Sequence, residues 1–259
     1  MPIDYRSALT AEATRFVDVL RGTDPSAPVP TCPDWRADDL LYHLAEVFDN
    51  WTKVLREGRA GDDISPPERP GDRAGLLALY HSATAALLDV IETTPPDQPM
   101  WSWVYQDVTA SWLPRRMAHE ALIHRLDAEL TAGTPTGFDA ELAADGVGEV
   151  LEYFYSWRPG WATVHSDGPV GRLATTDTGG KWLIRLDAWS GDSPDSGKSY
   201  DHVPCPTPVA SGEPSFEIRA TAGDLDTWLW NRPTAQPPQV DGDRAAFEQF
   251  SAVVAQGLQ

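Results

Sequence analysis

The chain has 259 residues, enough for two domains of ordinary size, and carries 39 acidic against 20 basic residues, a net charge of −19. That charge repels phosphate, which argues against DNA, RNA or an anionic membrane surface as partner. Cys32 and Cys205 are too few and too isolated for a disulfide framework or a cysteine-type zinc site. The charged start MPIDYRSALT, and the lack of a run of about 18 consecutive apolar residues, lead us to expect a cytoplasmic protein that does not span a membrane. Lysine occurs only at 53, 181 and 198 while arginine is common, the imprint of GC-rich coding.

The first helix is expected from Asp4 to Leu20, where Tyr5, Leu9, Phe16, Val19 and Leu20 recur at helical spacing before GTDPSAPVP ends it. A second runs from about Arg36 to Gly58, with an almost unbroken stripe of Leu40, Leu41, Leu44, Val47, Phe48, Trp51, Val54 and Leu55. A third spans Asp72 to Thr93 and stops at PPDQP. The Trp-rich loop 99–112 follows, read as a pocket wall or as aromatic packing between domains. A fourth helix covers Thr109 to Thr131, and a fifth Asp139 to Trp157, with Asp139 as N-cap. Long helices joined by short turns favour a bundle. Beyond Trp157, residues 168–189 read as strand, turn and strand, 190–214 as a long loop, PSFEIRAT as a strand, 223–233 as a short helix and Arg244 to Ala255 as a closing helix. The fold class is therefore α+β, with a bundle over 1–160 and a smaller α+β domain over 161–259.

The segment MAHEALIHRLDAEL (117–130) carries the chemistry. At about 100° per residue, Leu122, Ile123, Leu126 and Leu130 form an apolar arc. Glu120, His124 and Asp127 share one flank of it, and Arg125 and Glu129 point to water. His119 falls inside the arc, so HExxxH differs from the HExxH of zinc peptidases, whose histidines are four apart. The converging pair is Glu120 and His124. Taken alone, such a pair is more often an ordinary i, i+4 contact. His43, at the edge of the helix-two stripe, offers a third ligand, although a lone histidine there is more often a satisfied core residue. Together the three would make a bundle-core metal site, and zinc with three protein ligands keeps an open position.

TCPDWRADDLLYHLAEV (31–47), RRMAHEALIHRLDAEL (115–130) and DLDTWLWNRP (224–233) together resemble the mycothiol-dependent maleylpyruvate isomerase family. The resemblance implies an N-terminal DinB-like four-helix bundle, with zinc held by His43, Glu120 and His124. It also implies a catalytic arginine in the C-terminal domain, to which Arg232 is the nearest match; Arg232 would hold an acidic substrate's carboxylate or simply cap sheet and helix. Asn231 stands where relatives often have Gly, and Arg36 where an N-cap Ser or Thr is usual.

The function this implies is a zinc-dependent enzyme that activates a small thiol, mycothiol above all, for attack on a small electrophile, giving isomerisation or S-conjugation. A non-catalytic binding or regulatory protein on the same scaffold and a metal-dependent hydrolase are the alternatives. Asp127 is expected to orient a ligand or to pair with Arg116, with a solvated salt bridge as the equal alternative.

Overall fold

The computed structural model describes residues 2–104 and 108–258, so residues 105–107 of the Trp-rich loop lie outside the described residues. It divides into two compact units, the first ending at Gly137 and the second beginning at Phe138.

Among the described residues, the first unit is built on four long helices. α1 (Tyr5–Arg21) is capped by Asp4, whose carboxylate accepts from the Ser7 N–H at 3.1 Å. A short hairpin of β1 (Pro28–Val29) and β2 (Cys32–Arg36) leads into α2 (Ala37–Glu57). Arg36 offers no cap of the usual kind. Instead the Asp39 carboxylate reaches back to the Arg36 N–H at 2.7 Å. α2 ends at Gly58, whose φ of 64° is the left-handed conformation that glycine adopts most readily. α3 (Arg73–Thr93) starts at Asp72, which accepts from the Gly75 N–H at 2.7 Å. The strand pair β3 (Pro99–Met100) and β4 (Val108–Thr109) precedes α4 (Leu113–Ala132), which carries a proline in its first turn.

Leu9, Phe16 and Leu20 of α1, Leu40, Leu44 and Phe48 of α2, and Leu76, Tyr80 and Leu87 of α3 form the core with Leu122 and Ile123 of α4. Trp101 and Trp112 of the Trp-rich loop pack on Trp51 of α2, with ring centroids 6.0 and 5.3 Å away. α3 is long and apolar enough to cross a membrane by length and composition, which consecutive apolar runs did not signal. In this bundle its Leu76, Tyr80, Leu87 and Val90 are buried, and Arg73 at its start is ion-paired with Asp38.

The second unit opens with α5 (Ala140–Glu149), capped by Asp139 and continued by a π-helical turn, Val150–Tyr155. A domain boundary at 160/161 would assign this helix to the bundle. It packs instead on α6 of the second unit, so closely that a Cβ on Gly146 would lie 2.7 Å from the Asp226 carboxylate, and the Tyr155 hydroxyl donates to the Leu229 carbonyl. The boundary therefore lies at 137/138. Next come β5 (Thr163–His165), β6 (Val170–Thr175), β7 (Lys181–Arg185), β8 (Ala188–Asp192), β9 (Ser199–Pro204), β10 (Thr207–Pro208), β11 (Phe216–Ala220), α6 (Ala222–Leu229), β12 (Gln239–Gly242) and α7 (Arg244–Val254).

β10, β7, β6, β11 and β12 form one sheet in that order, antiparallel except where β6 runs parallel to β11. Gly171 on β6 is required by close approach, since a Cβ there would sit 2.2 Å from the Phe216 ring of β11. β5, β8 and β9 form a second, antiparallel sheet. The stretch 190–214 is thus not a plain loop: it holds most of β8, all of β9, and β10. Gly191 sits at a bulge and Pro204 and Pro208 end their strands, while the other Gly and Pro residues fall between strands, so they punctuate strands rather than abolish them.

Candidate metal centre

His43 projects from the second turn of α2, and Glu120 and His124 stand one turn apart on α4. Their ligating atoms all lie within 4.8 Å of one another. Glu120 Oε1 is the meeting point, 3.3 Å from His124 Nε2 and 3.8 Å from His43 Nε2. Ligands bonded at zinc distances in a tetrahedral array sit about 3.3 Å apart, so the donor types and spacings fit such an ion after small adjustments. The side chain of His43 is 28% exposed, that of Glu120 16% and that of His124 9%, so the cluster opens on the His43 side. Trp35 flanks that side, with its ring centroid 4.7 Å from that of His43.

The other atoms of the two α4 ligands are also engaged. Arg116 donates from Nη2 to Glu120 Oε2 at 2.6 Å, leaving Oε1 directed at the two imidazoles. His124 Nδ1 donates to Asp127 Oδ2 at 3.0 Å, and Thr31 Oγ1 donates to Asp127 Oδ1 at 2.6 Å. Asp127 therefore contacts a candidate ligand, as one of its expected roles required, and its complete burial rules out a solvated salt bridge, while Arg116 serves Glu120.

Charge follows from these contacts. Burial alone would lower the His124 pKa, but its hydrogen bonds to Asp127 and Glu120, with their charges, outweigh burial and hold it up to about 9. Burial would likewise raise the Glu120 carboxyl. Hydrogen bonds from His124 and His43 and the Arg116 charge hold it well below the ordinary carboxylate range instead. In the metal-free protein the pair is thus an imidazolium and a carboxylate.

Two residues depart from the expectation that they face water. Arg125 and Glu129 are buried, Arg125 bonded to Glu12 at 2.7 Å and to Glu129 at 2.9 Å, and Glu129 bonded to Arg15 at 2.9 Å. His119 is buried beside the Tyr5 ring, 6.3 Å between centroids, on the side of α4 that meets α1. Thr31 and Trp35 carry no periodic signal that would single them out. Both lie in the TCPDW stretch that carried the resemblance, which was their only trace in the sequence.

The family model described as mycothiol maleylpyruvate isomerase N-terminal domain matches residues 6–129, and the model for the C-terminal domain matches residues 141–249. The chain belongs to this family. Two solved structures align over 94% of this chain and 95% of theirs, with a TM-score of 0.60 at 12% identity: the mycothiol-dependent maleylpyruvate isomerase and a histidine-to-alanine mutant of it. At that identity the likeness establishes the α+β fold, a helical N-terminal region followed by a sheet-bearing domain. No curated protein matches in sequence.

The residue that the family resemblance suggests as a catalytic arginine, Arg232, lies in the second unit just after α6. It is buried, and its Nη1 donates to the carbonyls of Trp230 at 2.7 Å and Leu258 at 3.2 Å. Asn231 before it has a φ of 55°, a left-handed conformation that glycine adopts freely and that asparagine tolerates better than most other residues.

Proposed function

We propose that this protein is a zinc-dependent enzyme that activates a low-molecular-weight thiol, mycothiol in the first instance, for addition to a small electrophile, and that isomerisation is its principal outcome. The convergence of His43, Glu120 and His124 on one point, open on one side, is the observation that carries this reading. Membership of a family named for a mycothiol-dependent isomerase supports the choice of thiol and of reaction.

Zinc, when bound, would supply the positive charge that favours a thiolate over a thiol at neutral pH. The protein's own residues do the rest. Glu120 Oε1 and the Nε2 atoms of His43 and His124 would hold the ion. Arg116 keeps Glu120 to one oxygen, and its charge holds that carboxyl ionised. Trp35 limits approach on the open side. Thiolate addition to one carbon of a cis double bond conjugated to a carbonyl sends the π pair into that carbonyl as an enolate and leaves a single bond. Rotation, then return of the pair with loss of the same sulfur, gives the trans isomer and regenerates the thiolate. Protonation of the enolate from water and release of the adduct before elimination would give S-conjugation from the same site. Arg232, to which the family resemblance points, is proposed as the catalytic arginine, with the Trp230 and Leu258 carbonyls fixing the plane of its guanidinium.

The test is to measure metal in the purified protein, then to offer mycothiol, glutathione and cysteine with cis-configured acidic electrophiles, with His43→Ala as control. Product mass separates an isomer of equal mass from a thiol adduct and from addition of water. Metal at one equivalent and thiol-dependent turnover that His43→Ala loses by about 100-fold or more are expected. Protein without metal, or equal turnover by the control, overturns the proposal.

A further inference from the structure

Thr31 occupies the turn between β1 and β2, and its side chain leaves that hairpin to reach α4. Its hydroxyl donates to one oxygen of Asp127 at 2.6 Å, while the other oxygen accepts from His124 Nδ1 at 3.0 Å. Asp127 is wholly buried. A buried carboxylate costs stability unless its oxygens are satisfied, and here the two partners are a hydroxyl from a loop and a ring nitrogen of a candidate metal ligand. A carboxylate beside Nδ1 demands a hydrogen on that nitrogen, so neutral His124 carries its lone pair on Nε2. Nε2 is the atom that faces Glu120 Oε1 at 3.3 Å.

We propose that Asp127 and Thr31 are positioning residues of the metal centre. Asp127 selects the tautomer and ring orientation of His124 that present Nε2 to the ion. Thr31 holds Asp127 in place and thereby couples the β1–β2 hairpin to the site. This inference rests on the metal reading given under the proposed function. A staple that merely pinned the hairpin to α4 would need only the Thr31 to Asp127 bond. The second bond, to His124, is what turns the pair toward the site.

The experiment uses the full-length protein, stripped by a chelator and titrated with zinc in competition with a chromophoric chelator, then with cobalt to record the visible absorption bands. Asp127→Asn keeps the shape of the side chain and removes its charge, and zinc affinity is expected to fall by about 10–100-fold. Thr31→Val keeps the shape and removes the donor. Its expected loss is about 3–10-fold, with a shifted cobalt spectrum, and Thr31→Ser restores both. Wild-type affinity and cobalt bands in Thr31→Val and Asp127→Asn, each with a wild-type circular dichroism spectrum, overturn the inference while leaving the metal reading intact. Failure of the wild-type protein to bind either metal overturns the metal reading, and the inference with it. Should Asp127→Asn not fold, the Thr31→Val and Thr31→Ser pair decides the matter alone.

Discussion

Glu120 and His124 stand four residues apart, a spacing that on an exposed helix yields a contact worth a few tenths of a kcal/mol. Burial with Asp127 and Arg116 makes the pair consequential. The His124 pKa rises from 6.5 in the unfolded chain to about 9 in the metal-free fold. Protonated His124 therefore stabilises that fold fully below pH 6.5, and the contribution disappears as pH rises through 9. Metal binding has the opposite sign, because the ion must displace the proton and so gains affinity over the same window. Glu120 does not interfere: its lowered pKa adds stability above 4.5 that is lost only as pH falls below that value. The melting temperature of chelator-stripped protein is accordingly expected to fall by on the order of 5 °C between pH 6.5 and 9, and the gap between zinc-loaded and stripped protein to widen. Thermal melts at the two pH values check this, with His124→Gln expected to flatten the stripped curve. A gap that stays constant would count against the assigned protonation of His124.

α4 is buried nearly all round, unlike the one-faced helix that its polar residues suggest. Leu122, Ile123 and Leu126 are buried as the apolar arc requires, but so are Arg116, Arg125, Asp127 and Glu129. Glu129 accepts from Arg15 of α1, from Arg125 one turn back and from the Thr136 backbone at 2.7 Å, so it ties α1, α4 and the chain leaving α4 together. Breaking a buried network on one side leaves uncompensated charge, at a cost of about 3–5 kcal/mol. Glu129→Ala is expected to lose roughly that much in urea denaturation while keeping the three metal-facing side chains. A loss below about 0.5 kcal/mol, the usual range for an exposed position, would return Glu129 to the surface. The same helix marks the limit of sequence reading. Periodicity located α1 to α4 and set Glu120 and His124 on a common flank, because spacing along a helix fixes angle. Spacing does not distinguish a charge that meets water from one that meets a buried partner on another element, and so it places Arg125 and Glu129 facing outward. Residues 190–214 failed for a related reason: the strands there are short and punctuated by Gly and Pro, and only pairing across β8 and β9 reveals them. Thr31 lies in a turn, where no period connects it to Asp127, 96 residues further on.

Across the whole molecule, the three candidate ligands, the residues that hold them and the hairpin bearing Thr31 all lie before Gly137, within a unit that buries its own core. Arg232 and the five-stranded sheet lie after it. A unit of this length is within the ordinary range for a domain that folds alone. Where the chain is cut matters. Ending at 129, the limit of the N-terminal family match, would delete Thr136, whose backbone and hydroxyl satisfy buried Glu129, and Gly137, whose carbonyl accepts from Arg125. Ending after Gly137 keeps both. The fragment that stops after Gly137 is therefore expected to melt cooperatively and to bind zinc within about threefold of the full chain, a difference of less than 1 kcal/mol. The fragment ending at 129 should be less stable by several kcal/mol, since it strands part of a buried ionic network. If Arg232 is the catalytic arginine, as proposed, neither fragment turns substrate over, and adding the separately expressed second unit is the natural attempt at rescue. Metal titration and thermal melts of the two fragments decide the matter. Loss of zinc binding in the longer fragment would mean that the metal centre depends on the sheet-bearing unit as well as on the bundle that supplies its ligands.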